Sequence, residues 1–163
     1  MKFLGTLLCC LLFAFGADAQ KTIPSVKVKT LEGQTVDLKD YADNGKITIF
    51  SFWATWCAPC KRELDAVAEV YPEWVEDYDV ELVAVTIDTR QAMSKVPAMV
   101  KSKNWEYIVL SDTQGLAQQV LSFQAIPQTF VTDKDGNIIY SHSGYQPGDE
   151  YELEDKIKKA AKK

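Results

Sequence analysis

Histidine occurs once in 163 residues, and the 18 Lys and Arg are outnumbered by 23 Asp and Glu, for a formal net charge of −5. The first scarcity excludes an imidazole-rich metal centre, since zinc-type sites draw on several His or Cys ligands. The second argues against nucleic acid, whose phosphates are neutralised by clustered Lys and Arg. The apolar run Phe3–Gly16, about 14 residues, falls short of the roughly 20 that span a bilayer. No phosphate-cradling Gly loop or cofactor motif is present, so the expectation is no cofactor and no metal. Internal repeats and low-complexity tracts are also absent. A chain of this length buries roughly 68–70% of its unfolded surface and holds a core without a dense disulfide framework. The four cysteines therefore call for a reason other than stapling.

The N-terminus divides them. Lys2, the apolar run and Ala17-Asp18-Ala19 before Gln20 have the form of a secretory signal peptide with an A-x-A-like cleavage site. Residues 1–19 are expected to leave, taking Cys9 and Cys10. A lipoprotein reading of those two cysteines is disfavoured because Leu8 stands where a small residue is wanted. The mature domain is then 20–163, with Cys57 and Cys60 alone, in an extracytoplasmic compartment that the signal makes periplasmic and where disulfides persist.

Along the mature chain, Val26 and Val28 alternate with lysines and face Thr35–Leu38 across Glu32-Gly33, the pattern of a hairpin. Lys46–Trp53 is a β-branched and aromatic run too apolar for a surface edge, and reads as a central strand. Leu64, Val67, Ala68 and Tyr71 then recur at helical spacing. Val80–Ile87 predicts a second buried strand, and Arg90–Asn104 a helix broken or bent near Pro97. A short strand at Tyr107–Leu110, a short helix at Leu116–Leu121 and a hairpin of Pro127–Thr132 with Ile138–His142 follow. Asp149–Lys163 predicts an amphipathic helix with acids first and lysines last, as its dipole favours. Alternating strands and helices closed by a hairpin and a helix predict an α/β sandwich around a mixed sheet.

Cys57-Ala58-Pro59-Cys60 sits where the central strand hands over to a helix. Such a pair serves as a zinc half-site, a structural disulfide or a redox couple. Zinc normally takes four ligands, and beyond two thiols the mature chain offers only His142. A disulfide closing so small a loop gains little from loop entropy. Position favours redox chemistry, because unsatisfied N–H groups at a helix N-terminus stabilise a thiolate, the nucleophilic form. A thiol lowered from about 8.5 to about 7 goes from roughly 3% to about 50% thiolate at neutral pH.

The segment Phe52-Trp53-Ala54-Thr55-Trp56-Cys57-Ala58-Pro59-Cys60-Lys61-Arg62-Glu63 resembles the active-site region of thioredoxin-fold proteins, in particular the secreted TlpA/ResA-like thiol-disulfide oxidoreductases. Gly33–Leu38 resembles that family's N-terminal hairpin, Ala125-Ile126-Pro127-Gln128-Thr129-Phe130 its cis-proline loop, and Asp133–Gly136 its late hairpin. The resemblance runs from about Val26 to the C-terminus. It implies a thioredoxin-like sandwich whose central mixed sheet is flanked by helices and extended by an N-terminal hairpin. It also implies an enzyme in which Cys57 attacks as an exposed thiol and Cys60 resolves. Trp56 would shape the surface beside them, while Ile126 and Pro127 hold a substrate strand. Glu63, one helical turn beyond Cys60, matches the family's proposed proton-managing glutamate; the alternative is a surface Glu beside Lys61 and Arg62. Cytosolic thioredoxins carry a buried Asp on the preceding strand, where this chain has Ser51.

Ala58-Pro59 lacks the His of oxidase-like C-P-H-C and isomerase-like C-G-H-C motifs, so reduction of protein disulfides is the expected direction. The expected partners are a disulfide-containing protein and a separate protein electron donor. A membrane is met only through that donor, and the chain is expected to be a monomer. Oxidase or isomerase activity is the nearest alternative. A peroxiredoxin-like peroxidase fits less well, since Thr55-x-Cys57 is one residue short of T-x-x-C. A Sco-type copper chaperone would need C-x-x-x-C and would use His142.

Overall fold

The computed structural model describes residues 21–162. The expected signal segment 1–19, with Cys9 and Cys10, lies outside the described residues, as do Gln20 and Lys163. The chain order is β1 (Lys27–Thr30), β2 (Thr35–Asp37), α1 (Leu38–Ala42), β3 (Ile47–Trp53), α2 (Ala58–Tyr78), β4 (Val80–Thr86), α3 (Val96–Lys103), β5 (Ile108–Ser111), α4 (Leu116–Leu121), β6 (Gln128–Thr132), β7 (Ile138–Ser143) and α5 (Asp149–Ala161).

All seven strands join one sheet in the order β2-β1-β5-β4-β3-β6-β7. β3 pairs in parallel with β4, and β4 with β5; the remaining pairings are antiparallel. Every residue of β3 is buried, as a strand covered on both faces requires. Its period of two divides the core. Ile47, Ile49 and Trp53 point to the layer that includes Leu64 and Val67 of α2 and Leu153 and Ile157 of α5. Phe50 and Phe52 point to the opposite layer, with Leu38 and Ala42 of α1, Ala117 of α4, and Phe123. Ser51 interrupts the first face and is 2% exposed, so the sheet's most buried strand presents one hydroxyl to α2 and α5.

The N-terminal hairpin is anchored by Asp37, the N-cap of α1. Its carboxylate accepts from the N–H groups of Val26 and Lys39 and pairs with Lys27 at 2.9 Å. Burial opposes its ionisation, but hydrogen bonds from Ser25, Lys27, Lys39 and Val26 outweigh that and hold it well below the usual carboxylate range.

One expectation is corrected. Pro97 does not break or bend a helix running from Arg90. A 3₁₀ turn at Met93–Lys95 precedes α3, and Pro97 lies in its first turn. There the fixed φ of proline is already helical and its ring is tolerated. The predicted C-terminal helix forms as α5, burying Leu153, Ile157 and Ala160.

Candidate active site

β3 ends at Trp53, and four residues later Cys57 is the N-cap of α2, with Pro59 in the first turn. Cys57 and Cys60 are joined by a disulfide with S–S 2.02 Å and Cα–Cα 5.4 Å. The Cys57 sulfur accepts from the Cys60 N–H at 3.2 Å, the contact by which a helix N-terminus favours negative charge on this atom. On its other side it lies 3.9 Å from the Ile126 carbonyl oxygen. The Ile126–Pro127 peptide is cis, and places that carbonyl beside the sulfur. The pair differs in access in the expected order but not to the expected degree: Cys57 is 4% exposed and Cys60 0%. Cys57 is therefore nearly covered in the oxidised protein, because its sulfur is turned into the cap and toward Ile126. Trp56, beside it, is 67% exposed.

Sequence reasoning overlooked the group that holds this loop. Asp88, fully buried just beyond β4, accepts from the Thr55 N–H and the Thr55 hydroxyl, both at 2.8 Å, and from Thr86 Oγ1 at 2.6 Å. Lys61 Nζ donates to the Thr55 carbonyl at 3.0 Å. Thr55, two residues before Cys57, is thus gripped on its N–H, hydroxyl and carbonyl. The available signal was an acidic residue directly ending a buried parallel strand, the edge at which α/β sheets place their sites.

Glu63 is not a surface residue, although Lys61 and Arg62 adjoin it in sequence. At 7% exposure it faces the sheet, where Thr129 Oγ1 donates to Oε1 at 2.6 Å and Ser51 Oγ to Oε2 at 3.3 Å. Burial pushes the carboxyl up, the two hydroxyls pull it down, and burial wins, leaving it at about 7. Here the buried acid comes from α2 and rests on the strand hydroxyl at Ser51. A carboxyl at about 7 is balanced to take or release a proton near neutral pH.

His142, the remaining ligand a copper site would need, lies with Nε2 3.2 Å from Asp149 Oδ2. Among the described residues no group of three or more His, Cys, Asp or Glu is placed to hold a metal ion. No helix among them is long and apolar enough to cross a membrane.

A helix-capping Cys-x-x-Cys pair opposite the carbonyl of the residue before a cis-proline, on a mixed sheet flanked by helices, defines a thioredoxin-fold thiol-disulfide oxidoreductase. The chain belongs to the AhpC/TSA family, whose model matches residues 19–141. It is 33% identical over 139 residues to the thiol-disulfide oxidoreductase ResA of Bacillus thuringiensis subsp. konkukian, covering 85% of this chain and 76% of that protein. It is 28% identical to sporulation thiol-disulfide oxidoreductase A of Bacillus subtilis, over 74% of this chain and 72% of that one. A thioredoxin-like protein from Porphyromonas gingivalis superposes with a TM-score of 0.77 at 41% identity, covering 86% of this chain and 92% of that chain.

Proposed function

We propose that the chain reduces disulfides of protein substrates outside the cytoplasm, its mature domain beginning at residue 20 after loss of the signal segment. Cys57 attacks a substrate disulfide and forms a mixed disulfide. Cys60 then displaces the substrate sulfur, leaving Cys57 and Cys60 bonded, and a separate protein donor returns two electrons to the pair. Glu63 takes the proton that Cys60 gives up. Trp56 offers apolar contact to the substrate, while Ile126 and Pro127 present backbone to an extended segment of it. The protein acts as a monomer.

The observation that carries this reading is the placement of the Cys57 sulfur between the Cys60 N–H and the Ile126 carbonyl. There one side stabilises the thiolate and the other offers an acceptor to an incoming strand. The absence of a cation between the cysteines supports the reducing direction, since nothing at Ala58 or Pro59 adds a charge that favours the thiolate over the disulfide. The test is turnover of insulin disulfides with dithiothreitol as donor. The wild-type protein should accelerate it and Cys57→Ser should not; a Cys57→Ser protein with wild-type turnover would overturn the reading.

A further inference from the structure

Glu63 sits under α2 with its carboxyl against the sheet, and a proton that it takes from Cys60 and does not give back must reach solvent. The strand register shows a way out. Ser51 of β3 is the direct partner of Thr129 on β6, and Thr129 of His142 on β7. Directly opposed residues on adjacent strands point to the same face, so Ser51, Thr129 and His142 form a polar row running from the central strand to the sheet's edge. Glu63 is hydrogen-bonded to the first two. His142 closes the row, half-buried, with Asp149 from the first turn of α5 against its Nε2 at 3.2 Å. Between Glu63 and His142 lies a crevice of about 10 Å³ that both residues line with Thr129 and Asp149, the least space that admits a single water.

We propose that His142, held by Asp149, is the relay through which Glu63 exchanges its proton with solvent during the thiol-disulfide reaction. The inference rests on Glu63 serving as the proton acceptor. As Cys60 displaces the substrate sulfur, its S–H proton passes to the Glu63 carboxylate. The Cys60–Cys57 bond forms, the Cys57–substrate bond breaks, and the substrate thiolate leaves with the electron pair. The two electrons end on the substrate disulfide, the oxidant in this step. The Glu63 proton then crosses the crevice to His142 and solvent, and the released thiolate takes a proton from solvent.

The other titratable groups facing Glu63 do not serve this purpose. Cys60 on the same helix is the proton's source. Burial raises Tyr107, and it raises Tyr140 and Tyr145 to about 12, far from exchange near neutral pH. Glu150, from α5, is occupied by the Tyr145 hydroxyl and the Gly148 N–H. An imidazole is the side chain suited to passing a proton near neutrality, and His142 is the only one in the chain. His142 acts through Glu63 and is a positioning residue for its proton.

The test is multiple-turnover reduction of insulin disulfides by the full-length protein with saturating dithiothreitol, where Glu63 is emptied in every cycle, followed by turbidity across neutral pH. His142→Gln and Asp149→Asn should each slow it roughly tenfold near pH 7, and added imidazole should restore the His142→Gln rate. Glu63→Gln should flatten the pH profile and gain nothing from imidazole. If Glu63→Gln alters the profile while His142→Gln keeps the wild-type rate, the relay is refuted and the role of Glu63 stands. A slow His142→Gln that imidazole does not rescue refutes the relay as well. A wild-type profile in Glu63→Gln refutes both the acceptor role and the relay built on it.

Discussion

Replacing Glu63 by Gln in the oxidised protein isolates the energetic consequence of burying that carboxyl. The glutamine is a neutral near-isostere of the protonated acid: its amide oxygen can still accept from Thr129, and its NH2 can donate to the Ser51 hydroxyl oxygen. The carboxyl titrates at about 7 in the folded chain against 4.5 in the unfolded one. Between these values the unfolded chain has released a proton that the folded chain still holds, so stability falls as pH rises through the window. The favourable contribution is complete below about 4.5 and gone above about 7. At about 1.36 kcal/mol per pH unit, the gap between 4.5 and about 7 is worth about 3 kcal/mol. Nearly the whole side chain is out of water, so solvent screening takes little from that figure. Urea unfolding of both oxidised proteins is the assay, because the disulfide keeps the cysteines from titrating and other carboxylates cancel in the difference. The stability difference should be flat in acid and shift in favour of Glu63→Gln by about 3 kcal/mol by pH 8. With urea slopes of roughly 1–3 kcal/mol per molar, this moves the midpoint by at least about 1 M. A difference that stays constant across the window refutes the assignment of Glu63 as a carboxyl raised by burial.

Three further outcomes follow from the same geometry. Thr129→Val removes the shorter of the two hydrogen bonds to Glu63, which favours the charged form, so the pH midpoint of that stability difference should move up; an unchanged or lower midpoint contradicts it. Asp88→Ala leaves the Thr55 N–H, the Thr55 hydroxyl and the Thr86 hydroxyl without their acceptor. It should cost about 3 kcal/mol, roughly 10 °C in Tm, and should change the alkylation rate of reduced Cys57; wild-type values of both would show that the clamp is idle. Asp37→Ala removes the cap of α1 and should cost about 1–2 kcal/mol at neutral pH. Because Asp37 is held below the usual carboxylate range, its contribution is complete above that range and fades as the pH falls further. The two proteins should therefore converge in strong acid, and a deficit that persists there would mean the cap is not electrostatic.

Local pattern decided much of this protein. The β-branched and aromatic run of β3 could be satisfied only between two layers, the helical spacing from Leu64 to Tyr71 required a helix directly after it, and the two cysteines between them were bound to fall at that helix's N-terminus. The distant Ile126-Pro127 pair was tied to the cysteines only through the family resemblance. Pro97 was misread because one proline in a helical pattern signals a break or a start equally, and which holds depends on the preceding backbone. Tertiary structure alone decided the rest. Glu63 was a candidate by resemblance and by lying one turn beyond Cys60, with a surface position beside Lys61 and Arg62 as the alternative, and the rotation of α2 against the sheet chose between them by turning it onto Ser51 and Thr129. Asp88 lies 33 residues from the Thr55 it grips, and cross-strand register alone aligns Ser51, Thr129 and His142. Sequence periodicity states which way a side chain faces within its own element; which atom it then meets is set by the packing and register of elements far apart in the chain.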